Sequence, residues 1–235
     1  MQFKRPHHQW IGQALYALDG TILRDAQCLF GGGTAIALRY GEYRESIDID
    51  FLVSDIASYR SLRQMLMEPR GIRAIMRENV ASLTQVRDIR ADQYGIRTLL
   101  KIADQTVKFE IVLEGRIALE TPKASDEICG IATLTPLDML TSKLLANADR
   151  WRDDAVFSRD VIDLAMMTPS LPLLRKAVTK AEQAYGRSVC EDLGKAILQL
   201  QSRDDWLERC LQAMSVNVSK AVLWKKMLAL RRVLS

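Results

Sequence analysis

The chain has 235 residues, 48% of them apolar and 26% charged, with a net charge of +4; that is material for one large domain or two small ones, each with its own core. No run approaches the roughly 18 uninterrupted apolar residues of a membrane span, and the opening Met-Gln-Phe-Lys-Arg-Pro-His-His lacks the apolar segment of a secretory signal, so a cytoplasmic address without membrane contact is expected. The cysteines, Cys28, Cys129, Cys190 and Cys210, form no CxxC pair, which argues against a zinc site or a disulfide framework and for reduced, mostly buried thiols. With only His7 and His8 as histidines, catalysis would rest on carboxylates, lysines and hydroxyls.

Taken in order, residues 9–23 carry apolar side chains at helical spacing (Trp10, Ile11, Leu15, Leu18, Ile22) and predict a first amphipathic helix. Cys28 to Phe30 read as a short strand that runs into Gly31, Gly32 and Gly33, with a short helix over 34–40 closed by Gly41. Ser46 to Val53 alternate as a half-buried strand does, with Ile47, Ile49 and Phe51 on one side and Asp48, Asp50 and Leu52 on the other. A helix is predicted over 56–67, then strands over 72–80, 95–103 and 106–114, the last two joined by a tight hairpin at Asp104-Gln105. Thr135-Pro136-Leu137-Asp138 reads as a helix start, with Thr135 as cap and Pro136 in the first turn.

From there the chain reads as helices over 137–148, 158–167, 171–185, 190–201, 206–214 and 218–233. The fold class is therefore α+β: a mixed α/β half, residues 1–130, followed by a helical half, residues 131–235, with a cleft between them as the expected binding site. After Glu208 the chain has Lys220, Lys225, Lys226, Arg231 and Arg232 and no acid, which fits either an anionic partner or a solvated helix face.

The chemistry concentrates in Gly31-Gly32-Gly33-Thr34 followed, across one short helix, by Asp48-Ile49-Asp50. Glycines at the mouth of a helix let backbone N–H groups approach a phosphate, and Thr34 adds a hydroxyl donor. Acids two apart on a strand set their carboxylates side by side, roughly 6–7 Å apart at the backbone, which suits paired Mg²⁺ ions. Either motif alone is common in turns and solvent-facing strands. Glu110, on the same predicted face as Lys108, is the candidate third metal ligand or general base, or else a cross-strand partner of Lys108 or Lys101.

In this order the stretch GGGTAIALRYGEYRESIDIDFLV resembles the signature of AbiEii/AbiGii-type nucleotidyltransferases, which include MenT-like toxins, through Gly32, Gly33, Thr34, Arg44, Ser46, Asp48, Asp50 and Phe51. A second block, Thr135 to Ala146, resembles that family's helix bearing a phosphate-contacting lysine, here Lys143; Arg159-Asp160-Val161-Ile162-Asp163-Leu164 resembles its later acidic segment, with Asp160 as the functional acid and Asp163 as cap or pair. The chain departs from the pattern in its extra glycine, Gly31, and in Gly33 where polymerase-like relatives often have serine.

The resemblance implies a polymerase-β-like core followed by a helical domain completing the cleft, and two Mg²⁺ ions on Asp48, Asp50 and Glu110. It further implies an NTP substrate on residues 31–34, Arg44, Ser46 and Lys143. The implied reaction is transfer of a nucleoside monophosphate to RNA, at the 3′ end of tRNA, by a toxin held in check by an antitoxin protein. Rival readings are transfer to a protein or to a small molecule such as an aminoglycoside, and a catalytically silent module binding RNA or antitoxin.

Overall fold

A computed structural model describes residues 3–78, 80 and 83–234. The chain forms two compact units, one of Met1–Glu42 with Ser46–Thr135 and one of Tyr43–Glu45 with Pro136–Ser235. Three residues from the middle of the first half thus belong with the helices.

The first unit opens with α1 (Pro6–Ala17) and α2 (Gly20–Asp25), two helices where one was expected. The break falls at Leu18, which is extended and bridges Met76, and at Asp19, whose carboxylate accepts from Thr21 N and Ile22 N and restarts the helix. An aspartate before a glycine caps a new helix better than it continues an old one. Arg5 lends α1 no side-chain cap; the Glu42 carboxylate does so instead, accepting from Lys4 N at 2.9 Å and Arg5 N at 3.1 Å.

Strand β1 (Leu29–Gly31) leads directly into α3 (Gly32–Arg39), and β2 (Ile49–Val53) is followed by α4 (Ile56–Met67), capped by Asp55. The strand expected over 72–80 is absent from its described residues, where Gly71–Ile75 form a 3-10 helix; residue 79 lies outside the description. The chain leaves α4 at the extended Glu68, Gly71 at φ +53° opens the 3-10 turn, and Ile72 and Ile75 are both buried at a spacing of three, the period of a 3-10 helix rather than of a strand.

Strands β3 (Leu83–Gln85), β4 (Arg90–Ala91), β5 (Gly95–Ile102) and β6 (Gln105–Leu113) complete a sheet of order β1-β2-β6-β5-β3, with β4 also on β5. The β2/β6 pair is parallel and the others antiparallel. The β5–β6 turn is Ala103–Asp104, one residue before the expected site. That register pairs Leu100 with Val107, Thr98 with Phe109 and Ile96 with Ile111, so these side chains share the buried face, while Leu99 and Val112 lie half-buried on the other; a one-residue slip would expose the buried set. A short hairpin of β7 (Glu127–Ile128) and β8 (Ile131–Ala132) turns through Cys129 and Gly130, both at positive φ as a two-residue hairpin loop demands.

Phe30, Phe51 and Phe109 pack on the sheet's buried face with ring centroids 5.6 and 5.7 Å apart. Because side chains alternate, locking Phe51 inside turns Asp50 to the opposite face.

The second unit contains α5 (Pro136–Arg150), α6 (Arg159–Met166), α7 (Leu171–Tyr185), α8 (Ser188–Ser202), α9 (Trp206–Ala213) and α10 (Lys220–Leu230), the last continued by a 3-10 turn over Arg231–Val233. No helix among the described residues is long and apolar enough to cross a membrane. The four thiols are free; Cys28 and Cys210 are buried, Cys129 and Cys190 half-buried.

Candidate active site

In the first unit the site starts from the register. Gly31 pairs with Asp50 across β1 and β2, and Asp50 pairs with Glu110 across β2 and β6. Gly32, at φ +68°, begins α3, and a Cβ placed there would lie 2.5 Å from Asp50 Oδ2. The glycine therefore serves twice: it adopts the left-handed turn, and it leaves room for the carboxylate at the helix mouth. Gly32→Ala is expected to lose activity by at least tenfold and stability by roughly 1–3 kcal/mol, through strain and displacement of Asp50. A melting curve and a transfer assay that both match wild type would refute that account.

Ser46 and Thr34 are joined through their hydroxyls at 2.8 Å, and Thr34 is buried. This bond ties the segment before Asp48 to α3. Asp48 itself precedes the first ladder residue, so the strand is shorter than expected, and Ile47 is exposed rather than facing the core.

Glu110 sits level with Asp50 but is engaged by cations. Its Oε1 accepts from Arg97 Nε at 2.5 Å and its Oε2 from Lys108 Nζ at 2.6 Å, while Arg97 also reaches Asp92 at 3.1 Å. Burial raises the Glu110 carboxyl, but the hydrogen bonds from Lys108 and Arg97 outweigh it and hold the group below the ordinary glutamate range. Hydrogen bonding to Glu110 raises Lys108, opposed by burial and assisted by the charges of Glu110, Asp50 and Asp48. Among the described residues, no three His, Cys, Asp or Glu side chains are grouped as a metal would require. As donors, the two aspartates are the hard oxygen ligands Mg²⁺ takes, usually one or two carboxylates with waters and substrate phosphates completing the shell; the missing side chain of Gly32 makes room for the Asp50 carboxylate, and Asp50 is half-exposed. The residues fit a divalent ion in kind.

The other predicted residues meet in the second unit. On α5 the side chains of Met139, Leu140, Lys143, Leu144 and Asn147 are buried at helical spacing, so Lys143 points inward with the core stripe. Its ammonium lies 2.9 Å from Asp160 Oδ1 and 2.7 Å from Asp163 Oδ2. Arg44 grips Asp163 with both arms of its fork, Nε to Oδ1 at 2.7 Å and Nη2 to Oδ2 at 2.9 Å, and the Tyr43 hydroxyl donates to Oδ1 at 2.5 Å. Arg150 holds Asp160 at 2.7 and 3.0 Å.

Sequence reasoning did not single out Tyr43 or Arg150. The signal for Arg150 was present, since it stands seven residues, two helical turns, from Lys143 on the same face. Nothing in the sequence pointed Tyr43 to Asp163. The start of α6 is fixed by Ser158, which with Phe157 has positive φ and whose hydroxyl accepts from the buried Trp206 indole at 3.0 Å.

Burial pushes the Asp160 carboxyl up, but Lys143 and Arg150 overcome it and hold the group far below the ordinary range; Arg44 and Lys143 likewise depress Asp163. A depressed carboxyl contributes stability that is present above its unfolded value near 4 and is lost as pH falls toward the folded value. The protein is therefore expected to melt at steadily lower temperature below about pH 4. A transition unchanged between pH 6 and pH 3 would contradict the assignment.

Of the basic C-terminal residues, Lys220 pairs with Glu208 and Lys226 Nζ donates to Thr168 Oγ1. A pocket at the sheet edge, lined by Leu66, Arg70, Leu83 and Gln85 among others, includes none of the acids described above.

The mixed sheet thus seats Asp50 against the glycine turn at the mouth of α3, with Asp48 two residues before it in the chain. The chain matches the family model described as "Nucleotidyl transferase AbiEii toxin, Type IV TA system" over residues 13–230. It belongs to that family, the nucleotidyltransferase toxins of type IV toxin–antitoxin systems. Among solved structures it is similar to JHP933 from Helicobacter pylori, at 18% identity, TM-score 0.51, covering 97% of this chain and 88% of that one. A second H. pylori structure, provisionally described as a nucleotidyltransferase, matches at 18% identity and TM-score 0.49, covering 97% and 91%. At that identity the likeness to JHP933 speaks for the fold alone. No significant match is found among curated proteins.

Proposed function

We propose that the protein transfers a nucleoside monophosphate from an NTP to RNA, at the 3′ end of tRNA, with release of pyrophosphate, and that this modification is its toxic act. The observation that carries the reading is the seating of the Asp50 carboxylate over Gly32 at the mouth of α3, two residues after Asp48 in the chain. The residues of the turn bind phosphate through backbone N–H groups, and α3 adds the partial positive charge of its N-terminus.

Asp48 and Asp50 are the proposed Mg²⁺ ligands, with Glu110 as the third carboxylate of the face. The bound metal would supply charge stabilisation at the reacting phosphate and activate the attacking hydroxyl. Arg44 and Ser46 act here by placing the chain: Arg44 on Asp163, Ser46 on Thr34. Lys143 is assigned the triphosphate contact and Asp160 the later functional acid. Since Lys143 rests on Asp160 and Asp163, that contact requires it to exchange one partner for phosphate, while Arg150 keeps Asp160 neutralised. The basic segment after Glu208, with Trp224, is the proposed contact for the RNA backbone and bases.

The test is incubation of the pure protein with total cellular RNA, Mg²⁺ and each labelled NTP in turn, beside an Asp48→Ala/Asp50→Ala control. Label is expected on a tRNA-sized band, absent in the control. Label on polypeptide, or on nothing, would remove RNA as the acceptor.

A further inference from the structure

The carboxylate face of β2 and β6 carries a cation of its own. Lys108 is two residues from Glu110 on β6, so both side chains share the face on which Asp50 lies level with Glu110. Asp48 precedes Ile49, whose ladder partner Phe109 follows Lys108. The Lys108 ammonium is 2.6 Å from Glu110 Oε2 and feels the charges of Asp50 and Asp48 as well. Oε1 of Glu110 belongs to Arg97, a planar fork braced on its other side by Asp92. The two cations differ in kind: the arginine is fixed by two acids, whereas the lysine is a compact charge on a flexible, half-exposed stem.

We propose that Lys108 is a tethered counter-ion of this face, which a divalent cation must displace from Glu110 before Asp48, Asp50 and Glu110 can share it. The inference rests on the metal-binding reading above. An ammonium and a divalent ion compete for the same oxygen and repel each other at short range. Lys108 thus raises the metal concentration at which the site fills. An arriving triphosphate offers the displaced ammonium a new anion, so metal and nucleotide favour each other's binding.

The experiment is a Mn²⁺ titration of the full-length protein without nucleotide, with free Mn²⁺ read by electron paramagnetic resonance. Wild type is compared with Lys108→Met, Lys108→Arg and Asp48→Asn/Asp50→Asn, each checked by circular dichroism. Lys108→Met should half-saturate at about three- to tenfold lower Mn²⁺, the scale of losing one partly exposed competing charge, and Lys108→Arg should stay near wild type. If the methionine variant does not fold, Lys108→Gln repeats the measurement with a neutral polar side chain. Equal or weaker binding in the neutral variants, with binding lost in the double aspartate variant, would overturn the proposal and leave the metal reading standing. Wild type that binds no Mn²⁺, or a double aspartate variant that binds as wild type does, would remove the metal reading and this proposal with it.

Discussion

Asp163→Asn is expected to lower stability by about 3–5 kcal/mol, the loss typical when one partner is taken from a buried ion network. The carboxylate is fully buried and accepts from Tyr43 and from two nitrogens of Arg44, with Lys143 as a second ion partner. Asparagine fits the space but has one acceptor oxygen in place of two, and it turns an NH₂ donor toward groups that are themselves donors. Lys143, buried, would then keep Asp160 alone, and Arg44, also buried, would lose the carboxylate charge it grips. Asp160→Asn should cost less, because Arg150 is about one-third exposed and can turn to water. Urea unfolding of the two variants beside wild type decides the matter. A change below about 1 kcal/mol for Asp163→Asn would mean that the network closes without it.

The largest effect on activity belongs to the paired aspartates. Asp50→Asn keeps shape and volume at the helix mouth but removes the charge that would hold a metal, and transfer should fall by about 10²–10³-fold, several kcal/mol of transition-state stabilisation. The fold should hardly notice, since Asp50 is half-exposed and the adjoining core residues, Ile49 and Phe51, are unchanged. The decisive comparison is rate against melting temperature in the same preparation. A variant that keeps activity within threefold would show that the pair does not hold the reacting centre's metal, whatever the fold.

Much of this was legible because it depends on local pattern. The alternation Ile49, Phe51 against Asp50, and Val107, Phe109, Ile111 against Lys108 and Glu110, gave both strands and the face they share. The helices of the second half followed from spacing to within a residue or two at most ends. What escaped depends on partners far along the chain. The break at Leu18 and Asp19 is stabilised by a bridge to Met76 and a hydrogen bond to Ile75 O, which no window around the helix contains. The 3-10 turn over Gly71–Ile75 has the apolar content of a strand, and only the spacing of Ile72 and Ile75 betrays it. Lys143 as a buried cation was hidden for the same reason: its partners Asp160 and Asp163 lie on another helix. The β7–β8 hairpin was passed over because two residues per strand leave almost no alternation to detect.

The membership of Tyr43–Glu45 in the helical unit has a consequence for how such a gene can be divided or recombined. A cut after Thr135 looks clean on paper, yet it would leave Tyr43 and Arg44 on one fragment and Asp163 on the other. Each fragment would carry half of a buried ion pair. During translation the same fact sets an order: the segment between the glycine turn and Asp48 is made early, but Arg44 lacks its carboxylate partner until Asp163 has left the ribosome, 119 residues later. Shuffling the N-terminal half between relatives would therefore have to carry the partners of Tyr43 and Arg44 along with it.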